Sequence, residues 1–147
     1  MSLTFLNTLG ARLEAFEPLE PGRVGLYTCG PTVYAPAHIG NFRSFVFADL
    51  LRRYLVWSGY EVRWVMNITD VEDKIIRNAD RLGIPIAQLT EEHTAGFLKE
   101  ARRLRIGEPD VLPRATAHIQ QMVDMISALL DRGHAYRADD GSIFFRI

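Results

Sequence analysis

The chain has 147 residues, 48% of them apolar and 24% charged, with a net charge of −1 and a single cysteine. That length supports one domain with a real core, and the composition is that of a globular protein. These numbers exclude an internal disulfide and a nucleic-acid partner held by bulk electrostatics, and no apolar run is long enough to span a membrane.

The opening segment MSLTFLNTLGAR lacks the basic start and sustained apolar stretch of a signal peptide, and one cysteine fits a reducing compartment. The expected location is therefore cytoplasmic. Residues 3–16 read as a short hairpin or arm that ends in the Pro/Gly-marked segment Glu17 to Gly22. RVGLYTC then reads as a short buried strand of a parallel sheet. YTCGPTVYAPAHIGN, Tyr27 to Asn41, reads as a loop with Cys29 near one end and His38 near the other.

From Asn41, Phe42, Phe45, Val46, Leu50, Tyr54 and Trp57 recur at helical spacing up to the stop at Gly59. EVRWVMN follows as a second strand, with Val62, Trp64 and Met66 alternating. Strand, helix and strand over this length predict a right-handed βαβ unit with parallel strands, an α/β fold. Ile68 to Asp70 leads into a helix from about Val71 to Leu82, with Thr69 or Asp70 as its N-cap and Gly83 as its stop. Two further helices are predicted, one from about Thr90 to Leu104 and one from near Ala115 to Gly133. The second carries Ile119, Met122, Val123, Ile126, Leu129 and Leu130 along one face. The basic run Arg102 to Arg105 reads as a solvated helix face. Asp140-Gly141 between apolar segments marks a β-hairpin. Ile143 to Ile147 is apolar to the last residue with nothing to cover it, so the chain is expected to be cut there and to self-associate.

In open α/β sheets ligands sit at the carboxyl ends of the strands. Cys29 and Asn67 to Asp70 both lie at such ends, and the helix after His38 directs its positive N-terminus toward the same crevice. Gly40 lets the backbone approach a ligand. His38 and Asn41 can donate to phosphate oxygens, and those bonds become catalytic if they strengthen as phosphoryl charge develops. A loop histidine is also commonplace, and a lone cysteine ending a buried strand is ordinarily a small hydrophobe. The potential metal partners nearest Cys29 are His38, Asp70, Glu72 and Asp73. Zinc needs three or four ligands, which this spacing does not visibly supply.

LYTCGPTVYAPAHIGNFRSFVFADLLRRYL followed by VMNITDVEDKIIRNA closely resembles the N-terminal catalytic region of cysteinyl-tRNA synthetases. HIGN is similar to the His-Ile-Gly-His signature of class I aminoacyl-tRNA synthetases, with Asn41 in the last position. PRATAHI and GHAYRADDG resemble the start of that family's connective insertion. The resemblance implies a Rossmann-like parallel sheet over residues 1–112, the first half of a catalytic domain, and the start of the insertion over residues 113–147. It implies ATP with Mg²⁺ held by Gly30, His38, Gly40 and Asn41, with His38 and Asn41 stabilising a pentavalent phosphorus. It implies zinc on Cys29, which reads the substrate cysteine through its thiolate, and Thr69 in the amino-acid pocket. Asp70 serves equally as a helix cap. Zinc prefers a thiolate to a hydroxyl, which separates cysteine from serine where an apolar pocket does so poorly.

The implied partners of the parent enzyme are cysteine, ATP and tRNA(Cys). The family's other three zinc ligands, its KMSKS loop and its anticodon-reading region lie outside this chain, so the chain alone is expected neither to charge tRNA nor to hold zinc well. The nearest rival reading is the cysteine-activating ligase of mycothiol synthesis, against which Lys74 and GPTVY argue. A rival of another class is a short non-catalytic paralogue that binds a nucleotide or a partner.

Overall fold

The computed structural model describes residues 3–147. In chain order it has β1 (Thr4–Asn7), β2 (Arg12–Ala15), β3 (Arg23–Thr28), α1 (Ile39–Trp57), β4 (Glu61–Met66), α2 (Asp73–Leu82) and α3 (Ile86–Arg103). A 3-10 turn (Ala115–His118), α4 (Ile119–Asp131), β5 (Ala135–Arg137) and β6 (Ile143–Phe145) follow.

The predicted arm is an antiparallel hairpin of β1 and β2, from Thr4 opposite Ala15 to Asn7 opposite Arg12. Edge-on aromatic contacts from Phe5 to Phe16 and from Phe16 to Tyr60, at 5.4 and 5.7 Å, tie it to the body. The predicted parallel pair is present, with β3 and β4 aligned from Arg23 opposite Glu61 to Thr28 opposite Met66. Residues 111–115 continue this ladder along the other edge of β4. Val111 N–H donates to Trp64 C=O at 3.2 Å, Ile68 N–H to Pro113 C=O at 2.8 Å, and Ala115 N–H to Ile68 C=O at 3.0 Å. The ladder thus runs straight across the expected boundary between residues 112 and 113.

Strand alternation assigns the two faces of the sheet. Trp64, Met66, Ile68 and Asp70 are buried, while Arg63 is exposed and Val65, Asn67 and Thr69 are half-buried. Trp64, Met66 and Ile68 join Phe42 and Phe45 of α1, Ile75 and Ala79 of α2, and Phe97 and Ala101 of α3 in one core. Phe97 stacks on Phe42 with centroids 5.6 Å apart and meets Phe45 edge-on at 4.9 Å. Such pairs add specific geometry to the area they remove from water.

Several predicted boundaries move, each for a local reason. α2 starts at Asp73 rather than Val71, because Glu72 is its N-cap and accepts from Lys74 N–H at 3.0 Å. Neither Thr69 nor Asp70 caps it. Both carboxylate oxygens of Asp70 turn instead to Thr116, accepting its N–H at 2.9 Å and its hydroxyl at 2.6 Å. α3 starts at Ile86, four residues before Thr90. Gly83 closes α2 at φ 67°, and Pro85 at φ −60° serves as the N-cap of a new helix almost at once. The helix C-terminal to Ala115 begins as a 3-10 turn before α4. None of α4's residues is buried, so its apolar face lies open among the described residues. The hairpin around Asp140-Gly141 is present, with its last strand ending at Phe145 rather than Ile147. The basic run is solvated, with Arg102 and Arg103 paired to Glu108 and Glu100 at the surface, but Arg105 lies beyond the end of α3. No helix among the described residues is long and apolar enough to cross a membrane.

Candidate active site

β3 ends at Thr28, and residues 29–38 form the loop that leads to α1. The loop is pinned to the end of β4. Thr69 N–H donates to Pro31 C=O at 3.0 Å and Val33 N–H to Thr69 C=O at 3.1 Å, with the Val33 side chain fully buried between them. Asn78 Nδ2 donates to Tyr34 C=O at 2.9 Å, and the Lys74 ammonium lies 5.3 Å over the Tyr34 ring. Between this loop, the first turn of α1 and α3 is a cavity of about 390 Å³ bordered by Cys29, Gly30, His38, Asn41, His93 and Phe97. A larger cleft of about 590 Å³, bordered by Glu17, Glu20, Arg23 and Arg63, lies at the amino ends of the strands. That is the end of an α/β sheet where ligands do not ordinarily sit.

α1 begins at Ile39, two residues before the predicted Asn41, because His38 is its N-cap. Gly40 N–H donates to His38 Nδ1 at 3.1 Å, and His38 N–H donates to Asn41 Oδ1 at 3.0 Å, a reciprocal capping box. Asn41 and Phe42 N–H groups donate to His38 C=O at 2.9 and 3.2 Å. The cap thus takes the backbone N–H groups of His38, Gly40 and Asn41, and no such bond among the described residues takes that of Ile39. Side-chain donors stand beside it: with Nδ1 accepting, a neutral His38 carries its proton on Nε2, and Asn41 keeps its Nδ2 hydrogens. Gly40 is needed for the same cap, since a Cβ there would lie 2.9 Å from His38 Cε1.

Cys29 is exposed, so it does not fill the core as a small hydrophobe. Among the described residues no group of three or more His, Cys, Asp or Glu side chains is placed to hold a metal. Asp70 is spent on Thr116 and Glu72 on the α2 cap. The residues present therefore offer zinc one thiolate and do not make up a complete site. Thr69 stands on the sheet face away from the helices and is not part of the cavity wall. Its hydroxyl accepts from Asn67 Nδ2 at 3.1 Å.

The structure thus brings Cys29, Gly30, His38 and Asn41 around one cavity, with Gly40 behind the imidazole and Thr69 on the open face. Sequence reasoning missed His93 and Phe97, and it placed Asn67 at the strand end without a role. The first two were findable, since they stand four apart on a predicted helix and so share a face.

A sequence signature described as the catalytic domain of class I tRNA synthetases (C) matches residues 15–147. The chain belongs to that family. The cysteine–tRNA ligase of Koribacter versatilis (strain Ellin345) is 48% identical over all 147 residues, which make up 30% of that relative. The cysteine–tRNA ligase of Solibacter usitatus (strain Ellin6076) is 49% identical over the same span, 31% of its length. This class I synthetase domain therefore spans about 30% of the curated relatives it matches. Its fold superimposes on Mycobacterium tuberculosis methionyl-tRNA synthetase in complex with methionyl-adenylate, with a TM-score of 0.70 at 19% identity, covering 84% of this chain and 26% of that one. The α/β, Rossmann-like reading of the fold is thereby established.

Proposed function

We propose that this chain supplies the N-terminal part of the catalytic domain of a cysteine–tRNA ligase, which activates cysteine with ATP and passes it to tRNA(Cys) in the cytoplasm. The observation that carries this reading is the capped α1 terminus, whose His38 and Asn41 side chains border the same cavity as Cys29. The whole-length identity to two cysteine–tRNA ligases supports it. In the reaction, a carboxylate oxygen of cysteine attacks the α-phosphorus of ATP, the bond to the β-phosphate oxygen breaks, and pyrophosphate leaves. His38 Nε2–H and Asn41 Nδ2–H donate to phosphate oxygens as charge develops on them. Mg²⁺ travels with ATP as part of the substrate. Zinc bound at Cys29 would supply selection of a thiolate over a hydroxyl, and ligands from beyond this chain are needed to hold it.

Residues 113–147 are read as the start of a connective insertion on the catalytic half. The apolar face of α4, with Ile119, Met122 and Val123 exposed, and the exposed Phe144, Phe145 and Ile147 then belong against further chain.

Cysteine-dependent ATP–pyrophosphate exchange tests the reading. The full-length protein that carries this chain is expected to show it, and the 147-residue chain alone is expected not to. Exchange by the short chain, or its absence in the full-length protein, overturns the reading. Supplying that protein with tRNA and with the amino sugar of mycothiol in parallel separates the ligase from its nearest rival. The isolated chain is also expected to self-associate through its open apolar surfaces. Light scattering that gives a monomer mass at all concentrations refutes this.

A further inference from the structure

The cavity beside Cys29 and His38 has a third wall, α3, to which the proposed function gives no role. Phe97 of α3 stacks on Phe42 at 5.6 Å and meets Phe45 edge-on at 4.9 Å, which presses α3 against the first turns of α1. Thr90, Thr94, Phe97 and Ala101 belong to the buried stripe of α3. His93 stands at the edge of that stripe, one turn before Phe97 and on the same face. It borders the cavity from α3, while His38 and Asn41 border it from the start of α1.

Two observations set His93 apart. Among the described residues, no Lys, Arg, Asp or Glu borders this cavity of about 390 Å³, so imidazole is the only group on its wall that can carry positive charge. His38 Nδ1 already accepts from Gly40 N–H, which leaves that ring neutral with a single donor at Nε2. His93 is under no such commitment. Neither of its ring nitrogens has a hydrogen-bond partner among the described residues, and neither is sealed from solvent, since no buried polar side-chain atom lacks a partner there. The residue as a whole is half-buried. An imidazole with free nitrogens, facing other donors across a cavity, suits an oxygen-rich anion.

We propose that His93 is a further ligand-binding residue of the site, which donates a ring N–H to a phosphate oxygen of ATP from the wall opposite His38 and Asn41. This inference rests on the proposed ATP-dependent function. The role it competes with is packing, in which the side chain merely fills space beside the buried stripe.

The two roles rank substitutions in opposite orders. His93→Leu and His93→Phe keep apolar bulk on the helix and remove both nitrogens. His93→Gln keeps an N–H donor at similar reach and is the poorer filler of apolar space. The experiment is calorimetric binding of ATP with Mg²⁺, in the absence of amino acid, by the full-length protein that carries this chain. The Tm and the cysteine KM in ATP–pyrophosphate exchange are measured beside it. Loss of one charge-assisted bond is expected to raise the ATP Kd about tenfold in His93→Leu and His93→Phe. Their Tm is expected to be unchanged or raised, and the cysteine KM is expected to stay as it was. His93→Gln is expected to lose less ATP affinity than either.

Wild-type ATP affinity in His93→Leu and His93→Phe overturns the proposal and leaves packing as the role of the residue. So does a His93→Gln protein that binds ATP no better than those two, or a raised cysteine KM with the ATP Kd unchanged. Two apolar variants of different size keep the test decisive if one of them fails to fold. A full-length protein that binds ATP but shows no cysteine-dependent exchange overturns the functional reading itself, and the order of the ATP Kd values still decides the role of His93.

Discussion

Gly30→Ala is expected to destabilise the chain by about 3 kcal/mol or more, at or beyond the upper end of what overpacking costs. A Cβ at position 30 would lie 1.7 Å from the backbone carbonyl oxygen of Asn67, 2.9 Å from its carbonyl carbon and 3.0 Å from Met66 Cγ. An alanine methyl has no torsion by which to escape, and two of the three obstacles are backbone. The only relief is to part the ends of β3 and β4. That movement would stretch the bond from Gly30 N–H to Asn67 Oδ1 and the paired bonds between Pro31, Val33 and Thr69. It would also lift Val33 from the core. Gly25→Ala is the internal control, because nothing lies within 4 Å of a Cβ there. It is expected to change stability by no more than about 0.5 kcal/mol. Urea unfolding of the two variants beside the wild type makes the comparison. A Gly30→Ala midpoint close to that of Gly25→Ala would show that the strand ends yield more easily than the contact implies.

The same contact shows where sequence reading succeeds and where it stops. Alternation in β4 and helical spacing in α1 were legible because they are periodic, and burial follows period. The hairpin at Asp140-Gly141 was legible because its turn chemistry is local. The starts of α1 and α2 were displaced because side-chain caps, at His38 and Glu72, precede or interrupt the periodic pattern. Glu72, named among the carboxylates nearest Cys29, proved to be the cap itself, which left Asp70 free for Thr116, 46 residues away. No local rule could have paired those two.

Within the site, residue types were easier to read than their employment. His38 and Asn41 stood out as donors beside a helix terminus, but their mutual capping, which occupies the N–H groups of His38 and Gly40, is visible only in three dimensions. Gly40 was read as letting the backbone approach a ligand, and the resemblance implied that Gly30 holds ATP. Each is a glycine because another part of the protein, the Asn67 carbonyl or the His38 ring, occupies the space of its missing Cβ. Asn67 looked like the end of a strand, since its partners Tyr27 and Gly30 lie on another strand and the loop after it, 40 and 37 residues away.

Asp49→Ala is expected to cost about 3 kcal/mol at neutral pH, the low end for breaking a buried ion pair, because the two guanidinium groups left behind keep some access to water. Asp49 is one of the few buried charges of the chain. Its Oδ1 accepts from Arg52 Nε and Nη2 at 3.1 and 3.0 Å, and its Oδ2 from Arg53 Nε at 2.7 Å. Arg53 Nη2 reaches on to Arg105 C=O at 2.7 Å, and the Arg52 guanidinium lies 5.7 Å over the Trp64 ring. The carboxylate therefore joins α1 to the segment that follows α3, and its loss strands charges beside the core. Burial pushes its pKa up, but the hydrogen bonds from Arg53, Arg52 and the Gly107 backbone outweigh burial and hold it below the ordinary 3.8. The sign of the pH dependence follows. Above that ordinary value Asp49 is ionised in folded and unfolded chains alike, and its whole contribution is present. As pH falls, the unfolded chain takes up the proton first, so the contribution shrinks and is gone below the depressed folded value. Urea unfolding of wild type and Asp49→Ala should show a constant stability gap from about pH 7 to about pH 4, narrowing in stronger acid. A gap below about 1 kcal/mol at neutral pH would place this network among ordinary surface ion pairs, and a gap that widens in acid would reverse the sign argued here.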